Sequence, residues 1–435
     1  MKTKRLLIPI ILLISCACQN SAQFFQEETK EINSSNNTIS KEAAIADLLS
    51  FMSAGNYRHT KSDMGNESIK SIESVYFDIP AELDAQNDKG PKVYLVDFYD
   101  GSSAIIGADV RAPGVYAILD NSSFKVSDFA SRTETTSKAI TEDGISYVTE
   151  ENAGMFIASY IRDYVVLQIA MNKEDSLETK GTPFNGHTWF YEDSYGPLMT
   201  TIWGQGAPLN SVTIQNEGEG SHTGCGAIAI AQLMRFFHYP SSINYEPINW
   251  GMINPVYSYS STGSLSTGTV EHQEEAAGLV YTVAVDLNTN FSTGSSTIFK
   301  AKWLLGALGF TVSEYTFADS IPMDGPVIQA IMDGRPAFYR GAHRVGFLNY
   351  EGHSWVVDGY RQYFYISSNV VHYMDTYHVN WGWYGLHNGW YRIDLFNPSA
   401  SMVEGGSYGD TIDLLSEACG YTFQYDNIAF TLQVP

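Results

Sequence analysis

The stretch Thr223-Gly224-Cys225-Gly226-Ala227-Ile228-Ala229-Ile230-Ala231-Gln232-Leu233-Met234 limits the fold more than any other part of the chain. Its alanines and aliphatic residues predict a buried helix that runs to His238, before Pro240 stops it. Cys225 then stands at the helix N-terminus, between two glycines. There the partial positive charge and the free N–H groups favour thiolate over thiol. The same N–H groups can hold an oxyanion formed on an attacked carbonyl. A small buried hydrophobe opening a core helix is the other reading, and this motif alone does not choose between them.

A thiolate nucleophile needs a cationic partner that also shuttles protons. The chain has 10 histidines. Gly352-His353-Ser354-Trp355-Val356-Val357-Asp358-Gly359 places His353 at the start of a strand that ends in a turn. A histidine before a strand, taken singly, is more often structural. Further on, His378-Val379-Asn380-Trp381-Gly382-Trp383-Tyr384-Gly385 puts Asn380 on a strand running into an aromatic-glycine loop. An Asn amide oxygen can accept from a histidine Nδ1–H, which leaves Nε2 to face the sulfur. Trp381 can shield that hydrogen bond from water, although a hydrophobic hairpin is the plainer reading of the segment. His378 competes for the role of base, but it shares a strand face with Asn380 and so cannot easily be oriented by it. In Trp203-Gly204-Gln205-Gly206-Ala207-Pro208, the Gln205 amide can donate to an oxyanion; alone, it is an unremarkable loop glutamine.

The remaining sequence sets the context. A chain of 435 residues is long for one domain, which predicts two folded units and a targeting segment. Hydrophobic residues at 44% are ample for a packed core, and a net charge of -23 argues against nucleic acid as a partner. Met1-Lys2-Thr3-Lys4-Arg5 is basic, and Leu6 to Ile14 is apolar. Those nine residues rise about 13 Å as a helix against the roughly 30 Å of a bilayer core. A signal peptide over 1–18 is therefore expected. Leu13-Ile14-Ser15-Cys16 looks like a bacterial lipobox with Cys16 as the lipidated residue. Cys18 is its rival, and ordinary secretory cleavage near Ala22 is the alternative. The two remaining cysteines, Cys225 and Cys419, either pair or leave a reactive thiol.

Residues 19 to about 39 read as a polar tether. Ser40 caps an amphipathic helix over about 41–53, and 74–120 reads as sheet, with Asp100-Gly101 as a hairpin turn and Val115 to Leu119 as a strand. A helix follows over about 151–168. The charged stretch Asn172 to Gly181 is the expected domain boundary and an exposed cleavage site. From 181 on, short strands are expected to dominate, with one strong helix at about 225–238. Ser/Gly/Thr-rich loops lie at 258–269 and 292–297.

These segments together resemble the streptopain family of papain-like cysteine peptidases. The resemblance rests on Gln205-Gly206-x-Pro208-x-Asn210, Thr223-Gly224-Cys225 with Ala231-Gln232-x-Met234 and Tyr239-Pro240, and Gly352-His353 with Asp358-Gly359. It is strongest over His378-Val379-Asn380-Trp381-Gly382-Trp383, followed by Asp394 and Asn397-Pro398-Ser399-Ala400. Gly107-Ala108-Asp109-x-Arg111-Ala112-Pro113 is similar to the propeptide of that family. The chain departs from the family pattern at Gly226, where a larger apolar residue is usual, and in a longer insertion at about 361–376.

The resemblance implies an α+β protein: a papain-like catalytic domain over 181–435, with the Cys helix in a helical subdomain packed on an antiparallel sheet or barrel. An α+β inhibitory prodomain over 19–180 would precede it. It implies Cys225 as nucleophile, His353 as general base and acid, Gln205 as oxyanion donor, Asn380 as orienter of His353 and Trp381 as shield. Peptide bonds of polypeptides would be cleaved inside the chain through a thioester, with no metal or organic cofactor. The prodomain would act as an intramolecular inhibitor until an activating protease, or the enzyme itself, cuts near Lys180-Gly181. Export as a lipoprotein of the bacterial cell envelope is expected, with release of the catalytic part after that cut. A non-catalytic binding protein on the same fold, or acyl transfer to an amine, are the competing functions.

Overall fold

The computed structural model describes residues 37–55, 68–79, 88–130, 145–148, 150–172, 186–256, 269–296, 298–316, 324–344, 350–396 and 427–435. Cys16, Cys18, Cys419, the Lys180-Gly181 cleavage site and Asn397 to Ala400 lie outside them. Ser40 caps the first helix, its hydroxyl accepting from the Ala43 N–H at 3.2 Å. That helix, α1, spans Lys41–Ala54. Four antiparallel strands follow: β1 (Ile69–Val75), β2 (Val93–Phe98), β3 (Ser103–Gly107) and β4 (Val115–Leu119). After a short β5 (Ile145–Tyr147), the apolar helix α2 (Ala153–Met171) is buried along most of its length.

The second half opens with β6 (Phe190–Tyr195), α3 (Ser211–Glu217) and α4 (Cys225–Phe237). A two-stranded ribbon, β7 (Ser242–Ile243) with β8 (Glu246–Pro247), leads to α5 (Val270–Asp286) and α6 (Ile298–Ala307). Then come β9 (Thr311–Thr316), α7 (Asp324–Met332), β10 (Ala337–Arg344), β11 (Tyr350–Ser367), β12 (Val370–Asn380), β13 (Gly389–Arg392) and β14 (Ile428–Gln433). Helix α4 was expected; α5, α6 and α7 were not, because Gly, Val and Thr in α5, Gly in α6, and Gly, Pro and Val in α7 weaken a helical pattern read alone. Tertiary packing decides for helix: Ala276, Val280, Val283 and Ala284 of α5 are buried in one core with Ala227 to Met234 of α4, Leu304 and Leu305.

Among the described residues, β1-β2-β3-β4-β13-β12-β11-β10-β14-β9 is one sheet, with β5 and β6 added along β11. Within this sheet, among the described residues, only the short β5–β11 pairing is parallel. The fold is therefore α+β, with a helical group around α4 packed on β10 and β11. The sheet joins the two halves of the sequence, because β4 pairs with β13 through Leu119 and Gly389. His353 does not begin a strand that soon turns. Strand β11 continues past Asp358, which sits at a bulge between Val357 and Gly359, and turns back only at Ser368-Asn369. Both of those residues have positive φ, as a tight two-residue hairpin requires. The 361–376 insertion is the outer part of this β11–β12 hairpin. Its inner face meets α1, where Tyr363 lies 4.1 Å from Phe51 between ring centres.

No described helix is long and apolar enough to cross a membrane.

Candidate active site

Helix α4 begins at Cys225 itself. Gly224 caps it at φ 87°, and a Cβ there would lie 2.5 Å from the Gly294 oxygen, so only glycine lets the neighbouring loop close on the helix start. Cys225 carries a free thiol, which removes the disulfide alternative for it. What approaches the sulfur is Ser354, through both its backbone N–H and its hydroxyl, together with the Gly226 N–H of the first helical turn. Arg340, paired with Ser354 across β10 and β11, adds a positive charge nearby. Burial still outweighs these groups and holds the thiol above its ordinary value.

His353 is the residue next to Ser354, so successive side chains of β11 point to opposite sides and the imidazole faces away from the sulfur. It is 1% exposed. Trp383 stacks on it with ring centres 4.1 Å apart, and Phe156 of α2 meets it edge-on at 6.0 Å. Nε2 lies 2.7 Å from the Trp381 oxygen. A carbonyl only accepts, so Nε2 carries the proton and Nδ1 holds the lone pair. Nδ1 has no hydrogen-bond partner. The nitrogens are therefore used the opposite way from the sequence expectation, in which Nδ1 was to be held and Nε2 to meet the sulfur. Burial lowers the His353 pKa to about 3, so thiol and imidazole are both neutral in this conformation.

Asn380 does not orient His353 here. It pairs with Val356, three residues beyond His353 and about 10 Å along the strand. Its Nδ2 donates to the Thr201 oxygen at 2.7 Å and to Gln232 Oε1 at 3.2 Å, while its Oδ1 accepts from the Gly382 N–H at 3.2 Å. It ties the 381–383 loop to α4. Trp381 contributes chiefly its backbone carbonyl; its ring is tilted, 6.1 Å from the imidazole. Trp383 covers the imidazole more closely than the Trp381 expected to do so. The repeat Trp-Gly-Trp was visible in the sequence, but which indole meets the imidazole depends on how the loop turns at Gly382.

Gln205 is 7% exposed, and both its Nε2 and Oε1 lack hydrogen-bond partners. Its backbone oxygen accepts from Thr223 Oγ1 at 3.2 Å, which ties its loop to the lead-in of the Cys225 helix. A buried amide left free in this way is costly unless a ligand completes it.

His378 lies between two carboxylates: Nδ1 is 2.6 Å from Asp358 Oδ1, and Nε2 is 3.2 Å from Asp120 Oδ2. Burial opposes its charge, but Asp358 and Asp120 prevail and raise its pKa to about 9. It is a structural cation joining the two halves of the chain, which takes it out of contention as a base. Among the described residues, no group of three or more His, Cys, Asp and Glu side chains is placed to hold a metal ion.

Residues 203–391 match the sequence model of the Peptidase C10 family. The chain is similar to streptopain of Streptococcus pyogenes, with 23% identity over 392 residues, covering 79% of this chain and 83% of that one. It is 25% identical over 249 residues to the thiol protease/hemagglutinin PrtT of Porphyromonas gingivalis, covering 51% of this chain and 27% of that protein. Among solved structures, a fragment of Prevotella intermedia prointerpain A aligns with a TM-score of 0.44 at 17% identity, covering 83% of this chain and 98% of that one. The active wild-type interpain A of the same organism aligns with a TM-score of 0.37 at 20% identity, covering 55% and 95%.

Proposed function

We propose, for a chain that belongs to the streptopain-like Peptidase C10 family and is a cysteine peptidase, that Cys225 is the nucleophile, His353 its general base and acid, and the residues up to about 180 the inhibitor that keeps them apart. One observation carries this reading. The Cys225 thiol lies against Ser354, while the adjacent His353 is turned under Phe156 of the front half. Helix α2 of the front half packs against the imidazole in this arrangement, on the face of β11 away from the sulfur.

Removal of the front half takes away Phe156 and the β5 pairing to Tyr350 through Gly352, which abuts His353. The imidazole then rehydrates and its Nδ1 turns to the sulfur. The thiol proton passes to Nδ1, and the thiolate attacks a peptide carbonyl carbon. The Cys225 N–H and the Gln205 amide take the oxyanion. As the tetrahedral adduct collapses, the C–N bond breaks and Nδ1 gives its proton to the departing amine. Nδ1 next takes a proton from water, which attacks the thioester; the acid leaves and the thiol is restored. The substrates are polypeptides cut within the chain.

The activating cut lies near Lys180-Gly181, in the charged stretch that the sequence marks as a boundary, made by an activating protease or by the enzyme itself. The chain is exported and carries a lipid on Cys16, on the strength of the short apolar segment before it. The cut would then free the catalytic part from the membrane. Casein hydrolysis by the processed protein tests the assignment: Cys225→Ala and His353→Ala are each expected to abolish it, and full activity in either ends it. Intact mass and membrane fractionation before and after processing test the anchor and the cut.

A further inference from the structure

The loop 381–388 holds more than the base. Its Tyr384 is bonded on both shoulders of Gln205. The Tyr384 N–H donates to the Trp203 oxygen at 3.0 Å, and the Tyr384 hydroxyl donates to the Gly206 oxygen at 2.6 Å. Between these bonds the phenol ring lies flat against Gly204, where a Cβ would come within 2.3 Å of it. Thr223 holds Gln205 from a third direction, through its backbone oxygen. The loop is thus tied at Trp203, Gln205 and Gly206, while the Gln205 side-chain amide is buried and free.

This brace has a backbone cost. Tyr384 adopts φ 52°, in a turn where Gly382 and Gly385, at φ 75° and φ 82°, already supply the left-handed residues. A non-glycine residue rarely adopts this left-handed conformation, because its Cβ crowds the backbone. From this conformation Tyr384 makes both its N–H bond to Trp203 and its hydroxyl bond to Gly206. Burial also raises the Tyr384 pKa, so its hydroxyl stays a donor throughout the working range.

We propose that Tyr384 is a positioning residue for catalysis: it clamps the 203–206 loop so that the Gln205 amide is already aimed where the oxyanion forms. Pre-aimed donors accelerate a reaction because they need no reorganisation as charge develops. The same short loop then sets both halves of the machinery, His353 through the Trp381 oxygen and Gln205 through Tyr384.

The proposal rests on the reading of Gln205 as oxyanion donor, and a double-mutant cycle separates the two. Processed wild type, Y384F, Q205A and Q205A/Y384F are compared for kcat and KM on one peptide substrate, with melting temperature recorded for each. Y384F keeps the ring and the N–H bond and loses only the hydroxyl. It is expected to lower kcat roughly tenfold with KM within about twofold, and to have no further effect in the Q205A background. Wild-type kcat in Y384F, or the same fold loss in both backgrounds, overturns the clamp while leaving Gln205 in its role. Wild-type kcat in Q205A removes the oxyanion reading, and the clamp with it. G204A is the second variant: the added methyl pushes the ring away and is expected to reproduce the Y384F split, and a KM effect alone would overturn the proposal.

Discussion

The Nε2–H of His353 donates to the backbone oxygen of Trp381 at 2.7 Å, so this imidazole is anchored by main chain and not by an amide side chain. With Nε2 engaged, Nδ1 is the nitrogen that keeps a free lone pair. In the described conformation it is buried beneath Phe156, and both members of the pair are neutral. The full-length protein is therefore expected to react slowly with iodoacetamide at neutral pH, and the processed protein at least ~100-fold faster as the thiolate becomes accessible. Rates of alkylation at Cys225, followed by mass, check this. Equal rates before and after processing would show that the front half does not hold the pair apart.

Phe156 provides the edge-on contact to His353 and also packs at 6.4 Å against Trp381. Phe156→Ala should weaken latency without touching the catalytic groups. The expected result is faster alkylation of unprocessed protein, together with a loss of about 3 kcal/mol or more from the emptied core site. Denaturant midpoints and alkylation rates on the same sample separate the two effects.

Asn380 fastens Thr201, Gln232 and the Gly382 turn. Asn380→Ala leaves these buried groups unpaired and should cost about 1–3 kcal/mol for each group stranded. Stability should fall first, with kcat lowered less than tenfold at temperatures where the variant is folded. A large loss of kcat at unchanged melting temperature would mean that Asn380 reaches His353 in the active form after all.

His378 supplies the pH dependence. Its pKa in the folded chain, about 9, lies above the ordinary 6.5, so its contribution is complete below about 6.5 and is lost as pH rises through 9. The shift corresponds to roughly 3 kcal/mol. Because Asp120 belongs to the front half and Asp358 to the back, alkali should loosen their junction. Melting temperature of the unprocessed protein is expected to fall by several degrees between pH 6.5 and 9.5. In His378→Asn the curve should be lower and flatter over that range; an unchanged slope would refute the link.

Much of the front half could be read locally. The Ser40 cap, the Asp100-Gly101 turn and the strand at Val115 to Leu119 are each specified by neighbouring residues, through capping, turn chemistry and β-branched runs. Helix α5 could not be read in this way, since the packing of Ala276 and Val280 against α4 overrides its weak local pattern. The insertion at 361–376 was visible as extra length, but not as a hairpin gripped by Phe51 at Tyr363 and by Trp189 at Tyr365.

At the site, the candidate chemistry could be read from the sequence alone. A cysteine between two glycines at the head of a helix, and a histidine and a tryptophan-glycine loop later in the chain, specify which atoms can react, because those depend on residue type and local backbone. Tertiary structure decided everything that depends on distance: which imidazole nitrogen is held, which indole covers it, that Asn380 serves α4, and that the Tyr384 hydroxyl reaches Gly206 across 178 positions of sequence. Hydrogen bonds and ring stacking act over a few ångströms, and only the folded chain brings residues so far apart in sequence within that range.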